Sequence, residues 1–166
     1  MKTVKKLLVA LAILASSTSL FAAEGDIDFI GLVYTQHFTP PPSWLKNGYN
    51  DWTLGGGLSY EPINDVIFRV SANENSLRNT TYSGQVAYRF LTIDRVSFEL
   101  AEQANTGYGS SGNSTNYATK LTGCYNTKMF DDRRTAFCLS TPLAQSVQTG
   151  SGPFTEVNFQ FRIGIN

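Results

Sequence analysis

Thr81-Tyr82-Ser83-Gly84-Gln85-Val86-Ala87-Tyr88-Arg89-Phe90 is the stretch whose reading decides the fold. In an extended chain Tyr82, Gly84, Val86, Tyr88 and Phe90 share one face, and Thr81, Ser83, Gln85, Ala87 and Arg89 share the other. The same beat runs outward in both directions. Val66, Phe68 and Val70 alternate with Ile67, Arg69 and Ser71; Val96, Phe98 and Leu100 alternate with Ser97, Glu99 and Ala101. Val157, Phe159, Phe161, Ile163 and Ile165 alternate with Asn158, Gln160, Arg162 and Gly164. Alternation of this kind marks strands with one apolar and one polar face. It predicts eight strands, over 27–38, 51–61, 66–74, 81–90, 95–107, 117–129, 135–141 and 153–165.

Composition agrees with that beat. The chain has 166 residues, 42% hydrophobic, 13% aromatic and only 16% charged, against about 25% charged in ordinary soluble domains. The length suits one domain. The formal net charge of zero argues against a nucleic-acid binder, which needs a basic face to neutralise phosphates. Residues 1–23 read as an export signal: Lys2, Lys5 and Lys6 precede an apolar run from Leu7 to Leu14, and Phe21-Ala22-Ala23 supplies a small-residue cleavage site. That segment carries three lysines and no acid, so a chain of 13 basic and 13 acidic residues becomes mildly acidic, net about −3, once it is removed. Residues 24–166 then form the single folded unit.

The connections sort by length. Pro62–Asp65, Leu91–Asp94 and Phe130–Arg134 read as tight turns, whereas Thr39–Asn50, Tyr108–Asn116 and Pro142–Gly152 are longer, with Asn75–Thr80 a shorter loop on that same side. Short turns at one end, longer loops at the other and an even strand count describe an all-β, eight-stranded antiparallel up-and-down transmembrane barrel of the bacterial outer membrane. Closure satisfies every backbone polar group, as lipid requires. The other reading is a soluble barrel or sandwich, which would bury the apolar face. Two features favour the membrane. Arg69, Arg89, Glu99, Lys120 and Arg162 sit mid-strand on the polar face, where a narrow lumen lets them pair. Tyr34, Trp52, Tyr60, Tyr82, Phe90 and Tyr108 cluster near strand ends, as interface girdles do. Cys124 and Cys138 flank the Asp131-Asp132 turn at nearly equal distances on the polar face, which predicts a cross-strand disulfide between the sixth and seventh strands in an oxidising compartment.

No phosphate loop, nucleophile elbow or metal-ligand spacing occurs, and no cofactor is expected. The chemistry-bearing candidates lie at the loop side. His37 ends the first strand; Asn75 and Ser76 follow the third. A His beside a hydroxyl can take its proton, and an amide or carboxylate can orient the ring.

Gln36-His37-Phe38, Gly48-Tyr49-Asn50, Gly55-Gly56-Gly57-Leu58 and Asn75-Ser76 together resemble the outer-membrane lipid A palmitoyltransferase family. The resemblance implies a barrel that moves an acyl chain from a phospholipid to lipid A. His37 would be the base, Ser76 the hydroxyl partner, and Asn75 would stand where the family has Asp. Pro142 would be a lateral gate, since proline lacks a ladder N–H. Phospholipid and lipopolysaccharide would be the partners of a monomer. Asn75, and the charges expected inside the lumen, depart from the family's pattern. The alternative is a non-enzymatic small outer-membrane barrel of the adhesin or envelope-protection type. Its loops would bind a partner, and paired charges would fill its lumen.

Overall fold

A computed structural model describes residues 25–41, 43, 45–108, 114–129, 133–146 and 156–165; the predicted export signal lies outside the described residues. Eight strands follow one another: β1 (Asp26–His37), β2 (Gly55–Ile63), β3 (Val66–Glu74), β4 (Thr80–Ile93), β5 (Val96–Tyr108), β6 (Ser114–Met129), β7 (Arg133–Gln145) and β8 (Glu156–Gly164). Each strand pairs antiparallel with its sequence neighbours, and β1 pairs with β8, so the sheet closes into a barrel. No helix occurs among the described residues.

The predicted faces hold. Tyr82, Val86, Tyr88 and Phe90 point outward and are exposed, while Thr81, Ser83 and Ala87 are buried. Phe68, Val70, Leu100, Phe137, Leu139 and Phe159 join the exposed set, giving the barrel an apolar exterior. The interior is the polar face. Its apolar part consists of small patches, such as Ile67 with Ala87 and Ala101. Cys124 and Cys138 are directly opposite each other on β6 and β7, and they form the predicted disulfide on the inner wall.

Charge fills what the small side chains leave. Arg162 grips Glu99 with two bonds, Nη1 to Oε1 at 2.9 Å and Nη2 to Oε2 at 3.0 Å. Arg69 Nη2 reaches Glu99 Oε2 at 2.6 Å, and its Nη1 donates to Gln85 Oε1 at 3.0 Å. Glu99 is fully buried, and β3, β5 and β8 are thereby tied across the lumen. Nearer the short turns, Arg89 holds Glu61 at 2.7 Å and Asp65 at 3.4 Å, and Arg134 pairs with Asp26 and Asp28.

The strand ends differ from the expectation in identifiable ways. β2 begins at Gly55 rather than at residue 51, because Asp51–Leu54 run as loop. Leu91–Ile93, expected as a turn, belong to β4. An irregularity between Arg89 and Leu91 carries the ladder onward, and the chain turns at Asp94, which takes a left-handed φ of 53°. β7 passes through Pro142 to Gln145. Tyr108, expected in an interface girdle, instead lines an interior cavity. The cause is a register shift between Asn105 and Tyr108 at Gly107, whose φ of 81° suits glycine. A Cβ at Gly107 would also strike the carbonyl oxygen of Thr80.

Glu99→Ala leaves two guanidinium groups buried and unpaired, and it should cost about 3–5 kcal/mol in reversible urea unfolding. Replacing Arg69, Glu99 and Arg162 together by apolar residues of similar volume should recover most of that loss.

Candidate functional site

The rim formed by the longer loops gathers the chain's only histidine and its neighbours. Closure brings His37, the last residue of β1, opposite Glu156, the first residue of β8. The Thr35 amide donates to the Asp51 carbonyl at 2.8 Å, which fixes the Phe38–Leu54 loop against β1 and delivers the Asp51 carboxylate to the ring. His37 Nδ1 lies 3.1 Å from Asp51 Oδ1, and Nε2 lies 3.5 Å from Glu156 Oε2. The Tyr49 ring stacks on the imidazole, with centroids 3.9 Å apart and planes 15° from parallel. Burial raises the Tyr49 phenol above its ordinary value, partly opposed by a hydrogen bond with Thr39, so the stacked ring stays neutral. A carboxylate oxygen faces each ring nitrogen. Both contacts are satisfied only when both nitrogens carry protons, and in that state the ring has no lone pair with which to act as a base.

The structure does not bring Asn75 to His37 through any hydrogen bond. Asn75 is buried, and its whole amide is committed to the β3–β4 loop. Nδ2 donates to Thr81 Oγ1 at 2.8 Å and to the Gly107 carbonyl at 2.9 Å; Oδ1 accepts from the amides of Leu77 at 2.9 Å and Asn79 at 3.0 Å. This is an Asx-type turn closed on a neighbouring strand. Ser76 shares the rim with His37, and its carbonyl accepts the Asn50 amide at 2.8 Å. The Tyr49-Asn50 pair therefore bridges the two loops, one residue covering the ring and the next holding Ser76.

Pro142 stands in β7 opposite Lys120 of β6, beside a register shift between Thr119 and Lys120. On its other side the β7–β8 ladder reaches Ser140 opposite Asn158 among the described residues. Beyond that, Thr141 Oγ1 bridges to the Glu156 carbonyl at 2.8 Å. The proline thus lies just past the point where the two strands cease to pair.

Below the rim the lumen holds a cavity of about 70 Å³. Serine, threonine, asparagine and glutamine side chains dominate its wall, with Arg69 and Lys120 contributing positive charge and Glu156 negative charge. No cluster of potential metal ligands occurs among the described residues. Asp51 and Glu156 are the site residues that sequence reasoning missed. Asp51 follows the Gly48-Tyr49-Asn50 segment directly, and its position was readable. Glu156 becomes a neighbour of His37 only through barrel closure.

Fold and rim together define a closed eight-stranded antiparallel barrel with an ion-paired interior and a polar, loop-built mouth. Set against known proteins, no family model, no curated sequence and no solved structure matches the chain.

Asn75→Asp separates two roles for this position. An orienting carboxylate would gain from the change. A loop brace would lose, because a carboxylate oxygen would then face the Gly107 carbonyl at 2.9 Å with no proton between them. The expected result is a loss of about 1–3 kcal/mol in unfolding free energy and no gain of acyl-transfer activity.

Proposed function

We propose that the chain is a small bacterial outer-membrane barrel without enzymatic activity, set as a monomer among phospholipid and lipopolysaccharide, with its loop-side rim as a binding face. The inversion of the barrel supports the membrane part of this reading. Its outer wall carries the large apolar side chains, and its inner wall carries the ions. In water such a band would be a contiguous apolar surface far beyond what monomeric soluble proteins expose. In lipid the same band is solvated, and each strand is long enough to cross with tilt.

One observation carries the non-enzymatic part: Arg69, Glu99 and Arg162 span the lumen, and the space above them is small and polar. Ligand pockets for molecules of lipid size run to several hundred Å³, roughly 300–1,000, and are mostly apolar. A hydrocarbon chain placed here would have to displace paired charges.

Acyl transfer of the kind the resemblance implies is the second reading, and one observation favours it. His37 sits at the mouth with a carboxylate against Nδ1, the arrangement that orients a base. In that role Nε2 would leave Glu156 and take the proton of an acceptor hydroxyl.

Three measurements test these readings. Expressed with residues 1–23 in a Gram-negative host, the chain should fractionate with outer membranes and require detergent for release. Recovery in the soluble periplasmic fraction would overturn the membrane assignment. Leu100→Arg, on the outer wall, should cost about 2–4 kcal/mol for a barrel folded into lipid vesicles if the residue lies near the midplane. Mass spectrometry of lipid A should show no added acyl mass in expressing cells. An added acyl mass that disappears with His37→Ala would establish the second reading instead.

A further inference from the structure

We propose that the cavity above the Arg69–Glu99–Arg162 bridge is a binding site for a small inorganic anion of halide size. The charges enclosed at this level do not balance. Arg69 and Arg162 share one carboxylate, Glu99. Lys120, on the cavity wall, makes no hydrogen bond or close ion pair with any described residue; the one carboxylate whose charge acts on it is Glu156. Glu156 is the one carboxylate on that wall. It is already approached by His37 Nε2 at 3.5 Å and by Asn158 Nδ2 at 3.3 Å. With His37 and Asp51 counted as a pair of their own, three positive groups (Arg69, Lys120, Arg162) face two negative ones (Glu99, Glu156); the opposite excess lies nearer the short turns, where Arg89 faces both Glu61 and Asp65.

The hydrogen-bond inventory points the same way. Arg69 is 4% exposed and lines the cavity. The Lys120 ammonium on that wall lacks a hydrogen-bond acceptor, and the Arg69 guanidinium adds positive charge beside the same space. Water would satisfy the donors but leave the charge uncompensated, and an uncompensated buried charge costs several kcal/mol. A small anion supplies both acceptor and charge. The volume admits it: a water needs about 10–15 Å³ of such space, so about 70 Å³ is room for a halide together with a few water molecules. The amide side chains of Gln85, Gln103 and Asn105 complete a polar wall. The cavity is also lined by Ser76 and Tyr108 near the mouth, so an ion enters from the loop side. This inference rests on the interior and does not depend on the membrane or on any role of the rim.

The test uses the folded full barrel in detergent micelles. Thermal unfolding is followed as sodium chloride replaces sodium gluconate at constant ionic strength, gluconate being too large to enter. The unfolding midpoint should rise with chloride in the wild type. The rise should vanish in Lys120→Met, which removes the unpaired cation, and persist in Lys46→Met, which removes an exposed loop cation. In crystals soaked in bromide, an anomalous peak should appear beside Arg69 and Lys120. Equal midpoints in chloride and gluconate, a chloride response that survives Lys120→Met, or no bromide peak in the cavity would each overturn the proposal.

Discussion

The pairing of β1 with β8 is the constraint from which the rest of the molecule follows. It removes the sheet's free edges and encloses a space only a few side chains wide. Large residues on the inner wall would collide, so alanine, serine and threonine occupy many of the buried inward positions, and a few long side chains cross the gap. Arginine and glutamate are suited to that crossing because each reaches far and ends in several hydrogen-bonding groups. Glu99 is held by three hydrogen bonds from two arginines, and those arginines come from strands that do not neighbour each other. The same closure opposes His37 to Glu156 and so builds the rim cluster.

A barrel of this kind has an ion-filled interior with only small apolar patches in place of a hydrophobic core. Its cohesion comes from the continuous backbone ladder and from interior charges that are costly to separate once buried. The outer wall's preference for an apolar surrounding adds to this from outside. These parts are coupled. An apolar outer face and a polar inner face are the two phases of one alternation, so a strand cannot keep one and lose the other without a change of register.

That coupling explains what was readable from the chain. The period of two in 81–90 assigns both faces of β4 correctly, and it extends to β3, β5 and β8 by the same count. The cysteines were readable because equal spacing about a turn is a statement of register. Parity fails where a bulge inserts an extra residue. Shifts between Leu32 and Tyr34, between Asn105 and Tyr108, and between Thr119 and Lys120 each break the count locally. Tyr108 therefore turned inward against expectation. Pro142, expected to open a loop, continues β7 instead, beside a register shift in its partner strand. The site was half legible. A lone histidine at a strand end draws notice, and Asp51 is near it in sequence. Glu156 is near it only in space, through a closing register that no local pattern encodes. Asn75 was chemically suggestive for a reason that also suits turns: its amide offers two donors and two acceptors within reach of the backbone.

The commitment of Asn75 to its loop bears on what kind of surface the rim is. Asn75 ties the β3–β4 loop to Thr81 and Gly107, the Asn50 amide ties the first long loop to Ser76, and the Thr35–Asp51 bond ties the same loop to β1. The Glu74 amide adds a bond to the Leu54 carbonyl at 3.1 Å, and Tyr49 lies flat on His37. Each bond removes conformational freedom before any partner arrives. Binding costs for ordering loops run to about 0.5–1.5 kcal/mol for each immobilised flexible side chain, so a rim already ordered by its own bonds meets a partner with little further loss. A hydrolytic or transferring site has a different need: its base must keep a free lone pair. His37, faced by Asp51 and Glu156 on its two nitrogens, joins β1, β8 and a loop at one point, and it offers a lone pair only where one of those contacts opens. The rim is a pinned surface, and the imidazole is its clasp.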